Sequence, residues 1–133
     1  MKILVTGGAG FIGSHVVRGL LQTGTTVAIL DDFNDFYDPQ IKRANVKAFN
    51  GQAEVIEADI RNASAMKDVV GRGGYDSIIH IAARAGVRPS VQNPSAYIET
   101  NVVGTYNLLD AARLAGVGQF LLASSSSVYG MAG

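Results

Sequence analysis

The sequence predicts an α/β fold, a doubly wound parallel sheet of five strands with Rossmann-like topology, and three observations support this. Five short apolar runs recur along the chain and are mostly continuous, which is typical of strands covered on both faces. Helical patterns lie between the runs. The links are short, so right-handed crossovers join successive strands. The predicted strands are residues 3–5, 27–30, 54–58, 77–82 and 119–123.

Helices are predicted between these strands. In the first, Ile12, Val16 and Leu20 recur every four residues along one face, and Gly24 is a suitable end. Residues 42–50 and 63–70 show weaker helical patterns. The last helix has the clearest one, an apolar stripe between an Asn-Pro cap and a final glycine. The cap is Asn93 and Pro94, the stripe is Ile98, Val102, Thr105, Leu109 and Ala112, and the end is Gly116.

A glycine-rich turn follows the first strand, where residues 6–13 read TGGAGFIG and open the first helix. Glycines let the backbone approach a pyrophosphate, and a helix N-terminus offers it unpaired N–H groups. Two glycine motifs fit this turn, Gly7-x-x-Gly10-x-x-Gly13 and Gly8-x-Gly10-x-x-Gly13. The sequence alone does not distinguish between them. Asp31 ends the second strand, where a carboxylate binds the ribose of a dinucleotide. The sequence therefore predicts NAD as cofactor, and not NADP, whose 2′-phosphate would face this carboxylate.

Composition and charge exclude several classes of partner. Eleven basic and eleven acidic residues cancel, so nucleic acid and anionic membranes are poor partners. The sequence has no cysteine, which excludes disulfides and cysteine zinc sites, and no metal site is predicted. No apolar run suits a signal peptide or a membrane span, so the expected location is the cytoplasm. A chain of 133 residues has room for one domain, residues 1–133.

These motifs resemble the extended short-chain dehydrogenase/reductase superfamily, and within it the NAD-dependent epimerase/dehydratase family. TGGAGFIG resembles the family's cofactor loop in its G-x-x-G-x-x-G form. LDDFNDFYDPQIKRAN (30–45) is similar to the segment that follows the second strand in UDP-glucuronate 4-epimerases. ADIRN (58–62), HIAARAGVRPS (80–90) and SSSSVYG (124–130) resemble three further segments of the family, in the family's order.

The resemblance implies cofactor-binding residues on several loops and one substrate-binding residue. Arg88 would bind a phosphate or carboxylate of the substrate, the alternative being a solvated surface arginine. Ile81 and Ala82 have core packing as their alternative, and Lys42 and Arg43 are interpreted as helix surface. The implied cofactor-binding residues are Gly7, Gly10, Phe11, Ile12, Gly13, Asp31, Asn34, Asp59, Ile60, Ile81, Ala82, Ala83 and Asn101.

The end of the fifth strand resembles half of a catalytic site. Ser125 matches the family's hydroxyl that hydrogen-bonds the reacting oxygen of the substrate, although a serine there also satisfies its own turn. The family's base is a tyrosine with a lysine four residues later, which lowers the pKa of the tyrosine. No tyrosine of this sequence has a lysine at that position. The resemblance therefore implies an N-terminal portion, truncated before the tyrosine, the lysine and the substrate lobe.

The function implied by the resemblance is that of a nucleotide-sugar 4-epimerase, most like UDP-glucuronate 4-epimerase, acting on a UDP-sugar by transient oxidation at C4. This chain alone is expected to bind NAD without turnover. Two alternatives stay open: a stand-alone, non-catalytic dinucleotide-binding module, and a fragment of a related reductase or dehydratase. Dehydration is disfavoured because residues 126 and 127 are serines where dehydratases have acids. A sheet that stops at its fifth strand exposes an apolar edge, which predicts a homo-oligomer.

Overall fold

The computed structural model describes residues 1–131, and these form one parallel sheet flanked by helices. The order of the strands is β3-β2-β1-β4-β5, and every neighbouring pair is parallel. The chain changes direction across the sheet beside β1, so the crevice between β1 and β4 is the topological switch point. The predicted fold class is confirmed; residues 132 and 133 lie outside the described residues. The strands are β1 (Lys2–Thr6), β2 (Thr26–Asp31), β3 (Glu54–Glu57), β4 (Ser77–His80) and β5 (Gln119–Leu122).

Helices connect the strands at all the predicted places. A π-helical segment, Ile98–Val103, joins the last two helices into one continuous run. A short helix that the sequence did not predict precedes this run, and a 3₁₀ turn, Ser126–Tyr129, follows the last strand. The helices are α1 (Phe11–Gln22), α2 (Pro39–Lys47), α3 (Ala63–Gly73), the unpredicted α4 (Val87–Gln92), α5 (Pro94–Tyr97) and α6 (Gly104–Ala115).

The helix ends follow from local chemistry. Asp38 caps α2 by accepting a hydrogen bond from the backbone N–H of Gln40 at 2.9 Å, and a proline occupies the first helical position. Asn62 caps α3 in the same way, through the N–H of Ala65 at 3.0 Å. At the end of α6, Gly116 has φ +71°, a left-handed conformation that terminates a helix without strain.

The central strand sends alternate side chains into two separate cores. Leu4 is buried on one face of the sheet with Met66 of α3 and Leu108 of α6. Val5 points to the other face, where it packs with Val17 of α1. Because both faces are covered, β1 has no solvated side and reads as a continuous apolar run.

The predicted inner face of the last helix is wrong at three of its five residues, whereas Ala112 is buried as predicted. Ile98, Val102 and Leu109 of the predicted stripe are 56%, 62% and 46% exposed. The buried side chains lie on a neighbouring face instead, and Leu108 is fully buried. This face is chosen by close packing, since Gly104 touches Ile60 so tightly that a Cβ on Gly104 would lie 2.6 Å from the Ile60 Cδ1 atom.

The first helix deviates from its prediction for the same reason. Ile12 is 61% exposed, whereas Gly13, Ser14 and Val17 are buried. Small residues let the helix approach the glycine turn and the sheet, and the larger apolar residue is left at the surface of the crevice. In both helices, therefore, the contact with small residues overrides the alignment of the largest apolar ones.

Replacement of Leu108 by alanine should destabilise the fold by about 2–5 kcal/mol, because it leaves a cavity in the fully buried core. Leu109→Ala is the matched control and should change the free energy of unfolding by about 0.5 kcal/mol or less, since that side chain is half exposed. Urea denaturation of both variants measures the difference. A larger loss for Leu109→Ala would show that the helix face assigned to the core is incorrect.

Candidate functional site

A cavity of about 300 Å³ opens at the carboxyl ends of the strands, over the switch point between β1 and β4. Parallel α/β sheets bind their ligands at this location. The cavity brings together segments that are far apart in sequence, and most of the predicted cofactor-binding residues line it. These are Gly7, Gly10, Phe11, Ile12, Gly13, Asp31, Asn34, Asp59, Ile60, Ile81, Ala82 and Ala83.

The glycine turn allows backbone to pack directly on backbone. Gly7 has φ +71°, and a Cβ there would lie 2.7 Å from the backbone nitrogen of Ala82. A Cβ on Gly13 would overlap the carbonyl oxygen of Gly7. A Cβ on Gly8, by contrast, would first meet the side chain of Ile29. The backbone contacts of Gly7 and Gly13 favour the Gly7, Gly10, Gly13 pattern over the alternative that begins at Gly8.

The N-terminus of α1 faces the cavity. Gly10 is its capping residue and, in the part of the chain that the structure describes, the first turn has no side-chain cap. Phe11 and Ile12 are 76% and 61% exposed at this point and line the cavity. The open N–H groups and the helix dipole together make a site for an anion such as a pyrophosphate.

Asp31 stands at the carboxyl end of β2 and is 4% exposed. Its carboxylate accepts hydrogen bonds from the backbone N–H of Phe33 at 3.0 Å and of Ala9 at 3.2 Å. It also forms an ion pair with Lys42, whose Nζ lies 3.0 Å from Oδ1. The interpretation of Lys42 as helix surface is wrong, because this residue is only 8% exposed and lines the cavity. A buried carboxylate requires such partners.

The loop after β2 and the α2 helix together form a side wall of the cavity, and hydrogen bonds attach this wall to the glycine turn. The Asn45 side-chain amide donates a hydrogen bond to the carbonyl oxygen of Ala9 at 2.8 Å. Tyr37 reaches the same turn, where its hydroxyl would lie 3.6 Å from a Cβ on Gly10. Asn34 lines the cavity and donates to Asp32 at 2.7 Å. These contacts hold α2 against the glycine turn. Lys42, the fourth residue of this helix, therefore lies beside Asp31.

Asp59 and Ile60 form the wall beyond β3. Arg61 donates hydrogen bonds to both carboxylate oxygens of Asp59, and this lowers the pKa of Asp59 below its usual value. The backbone carbonyl of Ile60 accepts a hydrogen bond from the Asn107 amide at 2.9 Å. Both predicted residues therefore line the cavity in positions held by neighbouring side chains.

The wall at residues 81–85 is held from behind by a chain of hydrogen bonds. The N–H groups of Ile81 and Ala82 both donate to the Thr6 hydroxyl oxygen, at 3.1 and 3.2 Å. Because the Thr6 hydroxyl oxygen already accepts two hydrogen bonds, the Thr6 hydroxyl donates its own hydrogen to Nδ1 of His80, 2.6 Å away. The proton of His80 is then on Nε2, 2.9 Å from the Thr105 hydroxyl. A neutral histidine satisfies every one of these contacts.

Asn101 does not line the cavity, and its predicted contact with the cofactor stays a prediction. Its side-chain oxygen accepts the N–H of Arg84 at 2.8 Å, and its amide nitrogen donates to the Arg84 carbonyl at 2.9 Å. The side chain thus fastens the wall from behind, whereas the neighbouring Thr100 lines the cavity. Asn101 lies in the π-helical segment, and such segments are frequent at functional sites. The Thr105 hydroxyl donates to the Asn101 carbonyl at 2.7 Å and continues the chain of hydrogen bonds.

Besides Asn101, two predicted residues are not part of the cavity wall in the described structure. Arg88 is exposed on α4, and the arginine of this loop that lines the cavity is Arg84. Ser125 is exposed after β5, where its hydroxyl oxygen accepts the N–H of Ser127 at 3.1 Å. The alternative interpretation of Ser125 in the sequence was a local turn of this kind. The predicted substrate contacts of Arg88 and Ser125 stay predictions.

The sequence interpretation missed Lys42, Arg84 and Thr100. Lys42 had a signal, since it belongs to the 30–45 segment on which the resemblance rests. Arg84 had the same kind of signal, because it belongs to the 80–90 segment of the resemblance, whereas Thr100 had none that distinguishes it from a surface residue. Within residues 1–131, no group of three or more His, Asp or Glu residues is placed to hold a metal ion. The same residues include no helix with the length and apolar character needed to cross a bilayer.

The fold and the site together define a dinucleotide-binding domain of Rossmann type. In the described residues, the glycine turn packs backbone against backbone with no space for a side chain at Gly7 or Gly13, the helix N-terminus beside it has no side-chain cap, and a buried carboxylate ends the next strand. The residues present therefore fit a dinucleotide.

Comparison with known proteins identifies the family. A family model described as GDP-mannose 4,6 dehydratase matches residues 4–133. The chain therefore belongs to this family of NAD-dependent epimerases and dehydratases. It is 42% identical to UDP-glucuronate 4-epimerase 3 of Arabidopsis thaliana over 132 residues, which cover 98% of this chain and 31% of that protein. It thus spans about a third of the length of this curated relative.

Solved structures agree with this assignment. A UDP-glucose-4-epimerase from Stenotrophomonas maltophila, with bound NAD and formylated UDP-arabinopyranose, is 35% identical with a TM-score of 0.86. The match covers 98% of this chain and 38% of that one. A UDP-glucose 4-epimerase from Thermus thermophilus in complex with NAD is 37% identical with a TM-score of 0.84, over 94% of this chain and 38% of that one.

The buried histidine predicts a pH dependence of stability. Burial lowers the pKa of His80 from 6.5 to about 4, whereas the unfolded chain regains the higher value. Between these pH values the unfolded state binds the extra proton, so the free energy of unfolding should fall as the pH is lowered from 7 to 4.5, by about 2 kcal/mol.

Urea denaturation at both pH values measures this fall. The His80→Gln variant removes the titrating ring and should show a smaller difference between the two conditions. An equal difference in the variant would mean that other groups cause the pH dependence.

Proposed function

We propose that this chain is the NAD-binding portion of a nucleotide-sugar 4-epimerase, most like UDP-glucuronate 4-epimerase. The observation that supports this most directly is the joint geometry of the Gly7–Gly13 turn and the buried Asp31 carboxylate, in a chain that is 42% identical to such an enzyme. The substrate of the whole enzyme is then a UDP-sugar.

The chain's residues have separate roles toward the dinucleotide. Backbone N–H groups at Phe11 and Ile12 bind the pyrophosphate, and Asp31 binds the adenosine ribose. Asp59 and Ile60 lie along the adenine. Ala82 and Ala83 line the path to the nicotinamide ribose. The resemblance implies these roles, and the position of the residues around one cavity at the switch point supports them.

The proposed reaction of the whole enzyme is an inversion at C4 of the sugar. Bound NAD, held by the residues named above, would supply the reversible hydride transfer at C4 of the sugar, and a base of the whole enzyme would take up and return the O4 proton. The net reaction has no oxidant and no reductant. A serine hydroxyl at the end of a neighbouring strand is suited to hydrogen-bond the C4 oxygen in both steps.

Ser125 is proposed for that hydroxyl and Arg88 for a phosphate or carboxylate of the sugar nucleotide. Both lie just after strands that end at the cavity edge of the sheet. The Ser125 hydroxyl oxygen accepts the N–H of Ser127, so its hydrogen is still available to donate to a substrate oxygen.

A second candidate function is a dinucleotide-binding module without catalysis. It is favoured by one observation, namely that no tyrosine among these 133 residues is followed four residues later by a lysine. A phenol with an ordinary pKa near 10 is a poor base at neutral pH. On either candidate, this chain alone binds NAD without converting a UDP-sugar.

Two further features of the whole protein are proposals. We place it in the cytoplasm, and we expect a homo-oligomer. The exposed apolar side chains of Ile98, Val102 and Leu109 on one helical run support an association between copies. Sedimentation equilibrium distinguishes a monomer from a larger species.

Isothermal titration of the purified chain with NAD tests the proposed function. Binding is expected, and Gly13→Ala should weaken it by at least about tenfold, because the added methyl overlaps the Gly7 carbonyl that shapes the anion site. Gly19→Ala is the matched control on the same helix, since a Cβ there meets no atom within 4 Å.

Absence of NAD binding by the folded wild-type chain would refute the proposal. Unchanged affinity in a folded Gly13→Ala variant would remove the glycine turn from the site. Both candidate functions exclude catalysis by this chain alone. Incubation of the chain with NAD and UDP-glucuronate, followed by chromatography of the sugar nucleotides, tests for such catalysis. Formation of the C4 epimer would contradict binding without turnover.

A further inference from the structure

We propose that Asn50 is a site of spontaneous modification, at which the backbone nitrogen of Gly51 attacks the side-chain amide and converts it to a carboxylate. Both residues lie in the turn that joins α2 to β3. The inference goes beyond the proposed function and does not depend on the binding of NAD. It is supported by the sequence of the turn, by the exposure of the two residues and by their hydrogen bonds.

Asn50 is the asparagine of this chain that a glycine follows. The reaction requires the amide nitrogen of the next residue to reach the side-chain carbon Cγ, and a side chain on that next residue obstructs the approach. Glycine has none, and its backbone is free to adopt conformations that other residues avoid. A Cβ at Gly51 would meet no atom within 4 Å, so the turn is open there. The residues that follow the other six asparagines are Asp35, Val46, Ala63, Pro94, Val102 and Leu108.

The side chain of Asn50 also differs from those of the other asparagines in its hydrogen bonds. Within residues 1–131, no protein group hydrogen-bonds the Asn50 amide, and the residue is exposed. Each of the other six side chains makes at least one hydrogen bond, which attack on its amide would have to break. These six are Asn34, Asn45, Asn62, Asn93, Asn101 and Asn107.

The attacking nitrogen of Gly51 is equally free. The N–H of Asn50 donates to the Lys47 carbonyl at 3.1 Å, and the N–H of Gln52 donates to the Phe49 carbonyl at 3.0 Å. The N–H of Gly51 lies between these two and has no backbone acceptor in the described part of the chain. Loss of its proton therefore breaks no backbone hydrogen bond of the fold.

The turn is able to rotate while the chain on either side stays in place. Phe49 and Ala53 are 4% and 8% exposed and anchor the two ends of the turn in the core. Asn50 and Gly51 have φ +54° and +79°, in the left-handed region that these two residue types enter most readily. Both are exposed, so a rotation that brings the Gly51 nitrogen to Cγ displaces no buried side chain.

The reaction balances with water as its co-reactant. The Gly51 nitrogen loses its proton and forms a bond to Cγ of Asn50, while the bond from Cγ to Nδ2 breaks and ammonia leaves. The product of this step is a cyclic imide, which water then opens. Addition of water at Cγ gives an aspartate. Addition at the backbone carbonyl carbon of Asn50 gives an isoaspartate, in which the main chain runs through the former side chain and gains a methylene group.

The two products have different effects on the fold. Either product places a new carboxylate beyond the C-terminal end of α2, where the helix dipole disfavours negative charge. The isoaspartate also lengthens the chain between Phe49 and Ala53, which are both held in the core with Val27 and Ile29. The isoaspartate should therefore destabilise the fold more than the aspartate does.

Mass spectrometry of the chain, aged in its folded state at mildly alkaline pH, tests the inference. Cleavage after Lys47 and Arg61 releases a peptide in which Asn50 is the single asparagine. Its amide should be converted at least about tenfold faster than any other in the chain, because attack elsewhere breaks a hydrogen bond. The other six asparagines are internal controls in the same sample, and fragmentation of the peptide distinguishes aspartate from isoaspartate.

Two variants test the effect on the fold. Asn50→Gly removes the reactive amide and keeps a residue that accepts a positive φ. Aged wild-type chain should unfold at a lower urea concentration than fresh chain, whereas aged and fresh Asn50→Gly should unfold at the same concentration. Asn50→Asp carries the new charge without the longer backbone, and its transition should lie between those of fresh and aged wild-type chain.

The wild-type peptide decides the inference even if a variant fails to fold. Conversion of Asn50 no faster than that of the other asparagines in the folded chain would overturn it. Conversion in urea but not in the folded chain would also overturn it, since the native turn would then protect the amide. An equal loss of stability in aged Asn50→Gly would refute the effect on the fold.

Discussion

The contact of backbone with backbone at Gly7 is the constraint on which the rest of the structure depends. At this one point the end of β1, the loop after β4 and the start of α1 approach so closely that no side chain fits. A methyl group on Gly7 or Gly13 would force these elements apart and widen the crevice at the switch point. The cavity, the uncapped helix N-terminus and the position of Ala82 are all consequences of the same packing.

A second layer of the structure holds the cavity walls without facing the cavity. Thr6, His80, Thr105 and Asn101 form one directed series of hydrogen bonds that crosses from β1 through β4 to the last helical run. Each hydroxyl donates onward, and the histidine is neutral, so no buried polar group of the series lacks a partner. The wall at residues 81–85 is thereby attached at both ends, to Thr6 and to Asn101.

The candidate site was predictable wherever function is tied to a local motif. The glycine turn and Asp31 were found because a strand, a tight turn and a helix N-terminus are adjacent in sequence. Arg88 and Asn101 were assigned by the same resemblance but do not line the cavity, since the direction of a side chain after a loop depends on distant partners. Lys42 was misjudged because a lysine on a helix is normally solvated, and only its ion pair with Asp31 explains its burial.

The positions of the strands, the parallel order of the sheet and the phosphate-binding turn were evident in the sequence, because apolar runs and glycine spacing act over a few residues. The tertiary structure decided which face of each helix is buried, as Leu108 and Leu109 show. It also decided the partners of the buried charges and the role of Asn101. These features depend on close packing and on hydrogen bonds between elements far apart in the chain, and no local pattern contains that information.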